Sequence, residues 1–201
     1  MIARILFVCA QNVCRSPLMA DSFGRALDDA WFLDAHEGEW DIISGGTHAR
    51  PGADACSTVV ALAPGVEGHR SSAVSRSDVD EADLVVVASR TERSWIAQLE
   101  PSARPRTFTL REALMLDERV GDVPIRDAES FREYVDALDA QRGTIDVSRR
   151  RPVLWRRRPE HPLDVIDVHR LGAKAHRRGL EVASVDAARL GRSIKRRLVS
   201  A

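Results

Sequence analysis

The chain has 201 residues and 44% hydrophobic content, and its 30 Lys and Arg balance its 30 Asp and Glu. Such a chain can bury one sizeable core, which excludes a disordered protein, and the zero net charge argues against a general nucleic-acid binder. No apolar run approaches the ~20 residues that span a bilayer, polar QNVCRS follows the apolar N-terminus too soon for a signal peptide, and three cysteines are too few for a disulfide scaffold. The expectation is one soluble, cytoplasmic domain.

The chain opens with a buried strand, Ile2, Ile5, Leu6, Phe7 and Val8. A polar loop leads to a helix predicted over Ser16 to Ala30, with Ser16 as N-cap, Pro17 in the first turn, and Leu18, Met19, Phe23 and Leu27 at helical spacing. Trp40, Ile42 and Ile43 predict a second strand, ending at the turn Ser44-Gly45-Gly46-Thr47, and a helix follows over Asp54 to Ala63. Leu84 to Ala88 is a continuous apolar strand of the kind a parallel sheet covers on both faces. Next come a helix at Thr91 to Leu99, a short strand at Arg106 to Thr109 and a helix at Leu110 to Leu116. Strands alternating with helices predict a parallel sheet with right-handed crossovers. The last third predicts two helices, Ser130 to Ala140 and Gly172 to Leu198, the second with a possible interruption at Gly179. Between them lies a basic insertion around 143–163, with six arginines in residues 149–158. Its blander reading is a solvated loop, and the alternative is a docking segment for an acidic partner.

The segment Val8-Cys9-Ala10-Gln11-Asn12-Val13-Cys14-Arg15-Ser16-Pro17 carries the chemistry. A short loop between a strand and a helix turns successive backbone N–H groups inward and makes an anion nest, to which the helix N-terminus adds its own donors. Arg15 can clamp two phosphate oxygens with its planar fork. Cys9 then lies beneath the anion, where the positive field favours a thiolate nucleophile, and Ser16 can donate a hydrogen to that sulfur. Taken alone, Cys9 reads more often as a small core residue and Arg15 more often as a surface charge. The spacing C-x5-R-S-P between strand and helix is what favours catalysis.

Residues 8–17 resemble the active-site loop of the low-molecular-weight protein tyrosine phosphatase family. Ser44-Gly45-Gly46-Thr47 resembles that family's S-A-G-T turn, His69-Arg70-Ser71-Ser72 a downstream H-x-S segment, and Asp83 to Val87 the following strand. Arg106 to Glu112 looks like a segment of the longer bacterial members. The resemblance implies an α/β fold: a single-domain three-layer sandwich, residues 1–201, whose four-stranded parallel sheet carries helices on both faces. It implies a cysteine-dependent phosphomonoester hydrolase working through a phosphocysteine, on a phosphorylated protein or a small phosphomonoester, with no metal and no cofactor. Cys9 and Arg15 become catalytic. Ala10, Gln11, Asn12, Val13, Cys14 and Ser16 line the substrate phosphate, with Asn12 holding the loop's shape. Cys14 matches a cysteine that can form a reversible disulfide with the nucleophile, packing being the alternative. Cys56 reads as a core residue.

Two departures stand out. Gln11 occupies a position where the family usually has glycine, so a requirement for positive φ there would strain it. The chain also has no Asp-Pro, the dipeptide that supplies the family's general acid. Asp167, in Asp164-Val165-Ile166-Asp167-Val168-His169, is the expected acid, with Asp164 and Asp122 as alternatives. The aromatic wall expected after that aspartate is missing, and His169, Trp31 or Trp40 can stand in for it. An arsenate reductase using an external thiol and a non-catalytic phosphate-binding protein on the same fold remain the competing functions.

Overall fold

The computed structural model describes residues 3–27, 40–145, 147, 161–167, 169 and 172–199. Among them four strands form one parallel sheet in the order β2-β1-β3-β4. The strands are β1 (Ala3–Cys9), β2 (Trp40–Gly46), β3 (Leu84–Val87) and β4 (Thr107–Thr109). Seven α-helices accompany them: α1 (Arg15–Leu27), α2 (Ser57–Leu62), α3 (Arg76–Glu81), α4 (Arg90–Leu99), α5 (Leu110–Asp117), α6 (Ala128–Ala140) and α7 (Ala173–Arg197). From β1 the chain builds β2 on one side and then crosses to β3 on the other. The carboxyl end of β1 therefore sits at the point where the winding reverses, the place where open α/β sheets bind ligands.

Alternation along β1 divides the core. Ile5, Phe7 and Cys9 face α1, α5, α6 and α7, packing with Met19, Phe23, Leu116, Phe131 and Leu190. Leu6 and Val8 face the other way, against Val79 of α3 and Ile96 of α4. A period of two on a sheet covered on both faces produces this split, and it explains why β3 is apolar throughout and β1 is apolar but for Arg4, which pairs with Asp41 and Glu81 near the strand's start. The three-layer sandwich expected from the sequence is the observed fold.

Several boundaries differ from the expectations. Helix α2 begins at Ser57, because Cys56 holds extended φ and ψ as its N-cap and its N–H is already committed to the Val13 carbonyl at 2.8 Å. Helix α3 was not expected. It has six residues and buries only Val79, too little for a period to show, and Ser75 and Asp78 start it with a reciprocal capping box. Helix α7 runs unbroken through Gly179. Trp40 lies in the core, 4% exposed and edge-on to Phe131 at 5.4 Å, so it does not wall the cleft. Trp31 and the arginines of 149–158 lie outside the described residues, as does most of the expected insertion.

Helix α7 reaches the site because it packs along α1. Its Gly191 meets the α1 backbone so closely that a Cβ there would stand 2.5 Å from the Phe23 carbonyl oxygen. Ser22 and Ser184 bridge the two helices at 2.7 Å. This contact carries the first turn of α7 to the loop after β1.

Candidate active site

The loop from Cys9 to Arg15 joins β1 to α1 at the carboxyl edge of the sheet. Cys9 is buried, and its sulfur meets the Asn12 N–H at 3.3 Å and the Ser16 hydroxyl at 3.1 Å. Ser16 Oγ also lies 3.2 Å from the Gly45 carbonyl and accepts from Asn12 Nδ2 at 3.0 Å. Its single hydrogen can serve either Gly45 or the sulfur, so a thiolate can draw it away from the carbonyl.

Asn12 organises the loop. Among the described residues it is the one non-glycine with positive φ, 54°. Asparagine tolerates that region because its short polar side chain bonds locally. The side chain donates to Ser44 Oγ at 2.9 Å and accepts from the Ser72 N–H at 2.8 Å, and the Asn12 carbonyl accepts from His69 Nε2 at 2.9 Å. The turns around Ser44 and His69 are thus the loop's scaffolding. The strain expected at Gln11 is relieved, because the left-handed turn falls one residue later and Gln11 is simply exposed. Gly46 closes the floor: a Cβ there would stand 2.8 Å from the Ala10 oxygen and 2.9 Å from the Asn12 nitrogen.

Arg15 is held from three sides. It donates to the Val165 carbonyl at 3.2 Å and to Asp167 Oδ2 at 3.0 Å, and Glu92 Oε1 lies 3.6 Å away. Glu92 is a buried carboxylate that the sequence reading missed. The available signal was Ser89-x-x-Glu92 at the start of α4, whose Ser89 hydroxyl donates to that carboxylate. The 161–167 segment docks on the sheet end through Val165 N–H to the Ala88 carbonyl, 2.7 Å.

The three candidate acids are now separated. Asp167 lines the cleft, its side chain 59% exposed, with Oδ1 accepting the His169 N–H at 3.2 Å. Asp164 faces away from it, accepting from the Arg90 N–H at 2.9 Å and from the Arg90 guanidinium. Asp122 follows Gly121, whose carbonyl binds Arg197 at the far end of α7. At 1.5 Å per residue, that end lies roughly 30 Å from His176, which borders the cleft.

The cleft has a volume of about 570 Å³. Cys9, Ala10, Gln11, Val13, Cys14 and Arg15 form its loop side, and Ile166, Asp167, His169, His176 and Leu180 face them. Cys56, expected as a core residue, packs partly buried against the apolar cluster of Leu18, Val59 and Leu180. A hydrogen bond with Cys14 is the main reason its thiol is lowered to about 6, and the Val59 N–H and the charges of His176 and His169 act in the same direction against burial. Cys14 is pushed up by the same hydrogen bond, then by burial and the neighbouring Cys56, Cys9 and Asp167.

A family model described as low molecular weight phosphotyrosine protein phosphatase matches residues 4–144. A protein-arginine-phosphatase of Geobacillus stearothermophilus is 34% identical over 146 residues, covering 71% of this chain and 88% of its own. The chain belongs to the low molecular weight phosphotyrosine protein phosphatase family. A probable low molecular weight protein-tyrosine-phosphatase, EpsP of Ralstonia nicotianae, is 28% identical over 71% of this chain and 92% of its own. Among solved structures, the Erwinia amylovora tyrosine phosphatase AmsI superposes with a TM-score of 0.48 at 21% identity, covering 70% of this chain and 88% of that one. The chain is a cysteine-dependent phosphatase. The matched stretch holds the Cys9–Arg15 loop, while Asp167, His169 and His176 come from the portion beyond it. No helix among the described residues is long and apolar enough to cross a membrane.

Proposed function

We propose that the protein removes phosphate from phosphorylated protein side chains, phosphotyrosine first among them, with Cys9 as nucleophile, Arg15 as phosphate clamp and Asp167 as general acid. The observation that carries this reading is the convergence on one cleft of the buried Cys9 sulfur, the Arg15 guanidinium and the Asp167 carboxyl, with Asp167 3.0 Å from Arg15. The Cys9 thiolate attacks phosphorus in line. Loop N–H groups and Arg15 take the charge of the equatorial oxygens, and protonated Asp167 gives its proton to the leaving oxygen. The phosphocysteine is then hydrolysed by water, whose proton passes to Asp167. Ser16 donates its hydrogen to the departing sulfur, the alternative partner it has at 3.1 Å. Val13, Ile166 and Leu180 give the cleft an apolar wall suited to a flat ring.

Phosphoarginine is the second reading, favoured by the 34% identity to a protein-arginine-phosphatase. Phosphotyrosine and phosphoarginine peptides assayed side by side separate the two through kcat/KM. The mechanism is tested with aryl phosphates of graded leaving-group basicity. Cys9→Ser is expected to abolish turnover. Asp167→Asn is expected to slow phenyl phosphate by about 10²-fold or more and para-nitrophenyl phosphate far less, because a weakly basic leaving group needs little protonation. Equal losses on both substrates would remove Asp167 from the acid role.

A further inference from the structure

Beside the phosphate loop, three side chains that the phosphoryl chemistry does not use converge from three separate segments. Cys14 ends the loop, His169 follows the acid segment and His176 lies in the first turn of α7. The Cys14 sulfur and one ring nitrogen each of His169 and His176 all lie within 4.8 Å of one another. Cys14 Sγ is 3.9 Å from His169 Nδ1, and His169 Nδ1 is 3.4 Å from His176 Nε2. The two imidazoles stand edge to face, 77° apart with centroids at 4.6 Å.

We propose that Cys14, His169 and His176 form a tetrahedral site for a zinc-class divalent metal ion at the side of the cleft, with water as the fourth ligand. A tetrahedral ion with bonds of about 2.0 Å to nitrogen and 2.3 Å to sulfur sets its ligands about 3.3 Å apart for an N–N pair and about 3.5 Å for an S–N pair. The observed 3.4 and 3.9 Å need movements of only a few tenths of an ångström. Hydrogen bonding alone serves the cluster poorly. His169 Nδ1 faces both Cys14 Sγ and His176 Nε2, and it has a single hydrogen or a single lone pair to share between them. A cation accepts a lone pair from every member at once. One thiolate and two imidazoles, with a water in the fourth position, are a donor set that zinc takes. His176 is buried and His169 exposed, so the site opens to solvent on the cleft side.

The ion cross-links the end of the phosphate loop to α7 and, through His169, to the segment whose Asp167 accepts the His169 N–H. It also binds the Cys14 sulfur, withholding that thiol from Cys9. The metal is a positioning element and takes no part in the phosphoryl steps.

Cobalt(II) titration of chelator-treated, fully reduced protein tests the site, with optical spectra as readout. Wild type is expected to take up one equivalent, with visible ligand-field bands of a tetrahedral ion, a near-ultraviolet thiolate-to-cobalt transition, and loss of both on adding zinc. Cys14→Ser and His169→Ala are expected to weaken uptake at least 10-fold, and Cys14→Ser to abolish the thiolate-to-cobalt transition. Zinc is expected to raise the melting temperature of wild type and leave that of Cys14→Ser unchanged, and far-ultraviolet circular dichroism checks that each variant folds. Cys9→Ser must keep the full cobalt spectrum. No uptake by wild type, bands lost in Cys9→Ser, or a thiolate-to-cobalt transition kept in Cys14→Ser would each overturn the assignment, and none of these readouts depends on phosphatase turnover.

Discussion

Replacing Asn12 separates what its side chain contributes from what its backbone demands. The side chain makes three hydrogen bonds, with Ser16 Oγ, Ser44 Oγ and the Ser72 N–H, at 2.8 to 3.0 Å. At about 1 kcal/mol each, with water reaching the partly buried Ser44 and Ser72, their loss costs about 2–3 kcal/mol. Alanine adds a further ~1 kcal/mol, because its Cβ resists the left-handed backbone at φ 54°. Glycine escapes that second part. Asn12→Ala is therefore expected to lose about 3–4 kcal/mol and Asn12→Gly about 1 kcal/mol less, measured by urea unfolding with matched slopes. Both variants should also lose turnover on para-nitrophenyl phosphate, since the Asn12 N–H contacts the Cys9 sulfur. If the two variants unfold together, the backbone part of the reasoning is wrong. If both stay within about 0.5 kcal/mol of wild type, the network does not hold the loop.

Three further outcomes follow from specific contacts. Arg15→Lys keeps the charge but loses the planar fork and its bond to the Val165 carbonyl, and steady-state kinetics should show kcat falling by about 10²–10³-fold. Tyr134→Phe removes a buried 2.9 Å bond to Asp117, which keeps Ser193 at 2.5 Å and Arg197 at 3.2 Å, and should cost about 1.5–3 kcal/mol in chemical denaturation. Tyr134 is the chain's single tyrosine, and burial followed by the Asp117 charge raises its phenol well above the ordinary value. Tyrosinate absorbance should accordingly stay absent until the protein unfolds in alkali. The unfolded phenol ionises first, so this group's contribution to stability is complete below about pH 10 and is lost as pH rises further.

The strand, loop and helix that build the candidate site were legible because each rests on contacts within about ten residues. Apolar runs mark β1 and β3, a serine and a proline open α1, and Cys9 and Arg15 lie on one short loop. Their spacing alone brings both side chains to one cleft, since a loop that short has few ways to close. Alternating strands and helices likewise determined the parallel sheet. Other features depend on packing between distant segments, which no local period reports. The left-handed turn belongs to Asn12 rather than Gln11 because Ser44, His69 and Ser72 reach in to hold it. Trp40 went to the core because it opens β2 opposite Ala3, at the end of the sheet away from Cys9. Asp167 meets Arg15 across 152 positions because its segment docks on the sheet end through Val165 and Ala88, and Cys14 meets His176 because α7 lies along α1 at Gly191 and brings its first turn to the loop. The sequence names Cys9 and Arg15 as candidates, whereas Asp167 and the cysteine–histidine cluster join them only through tertiary packing.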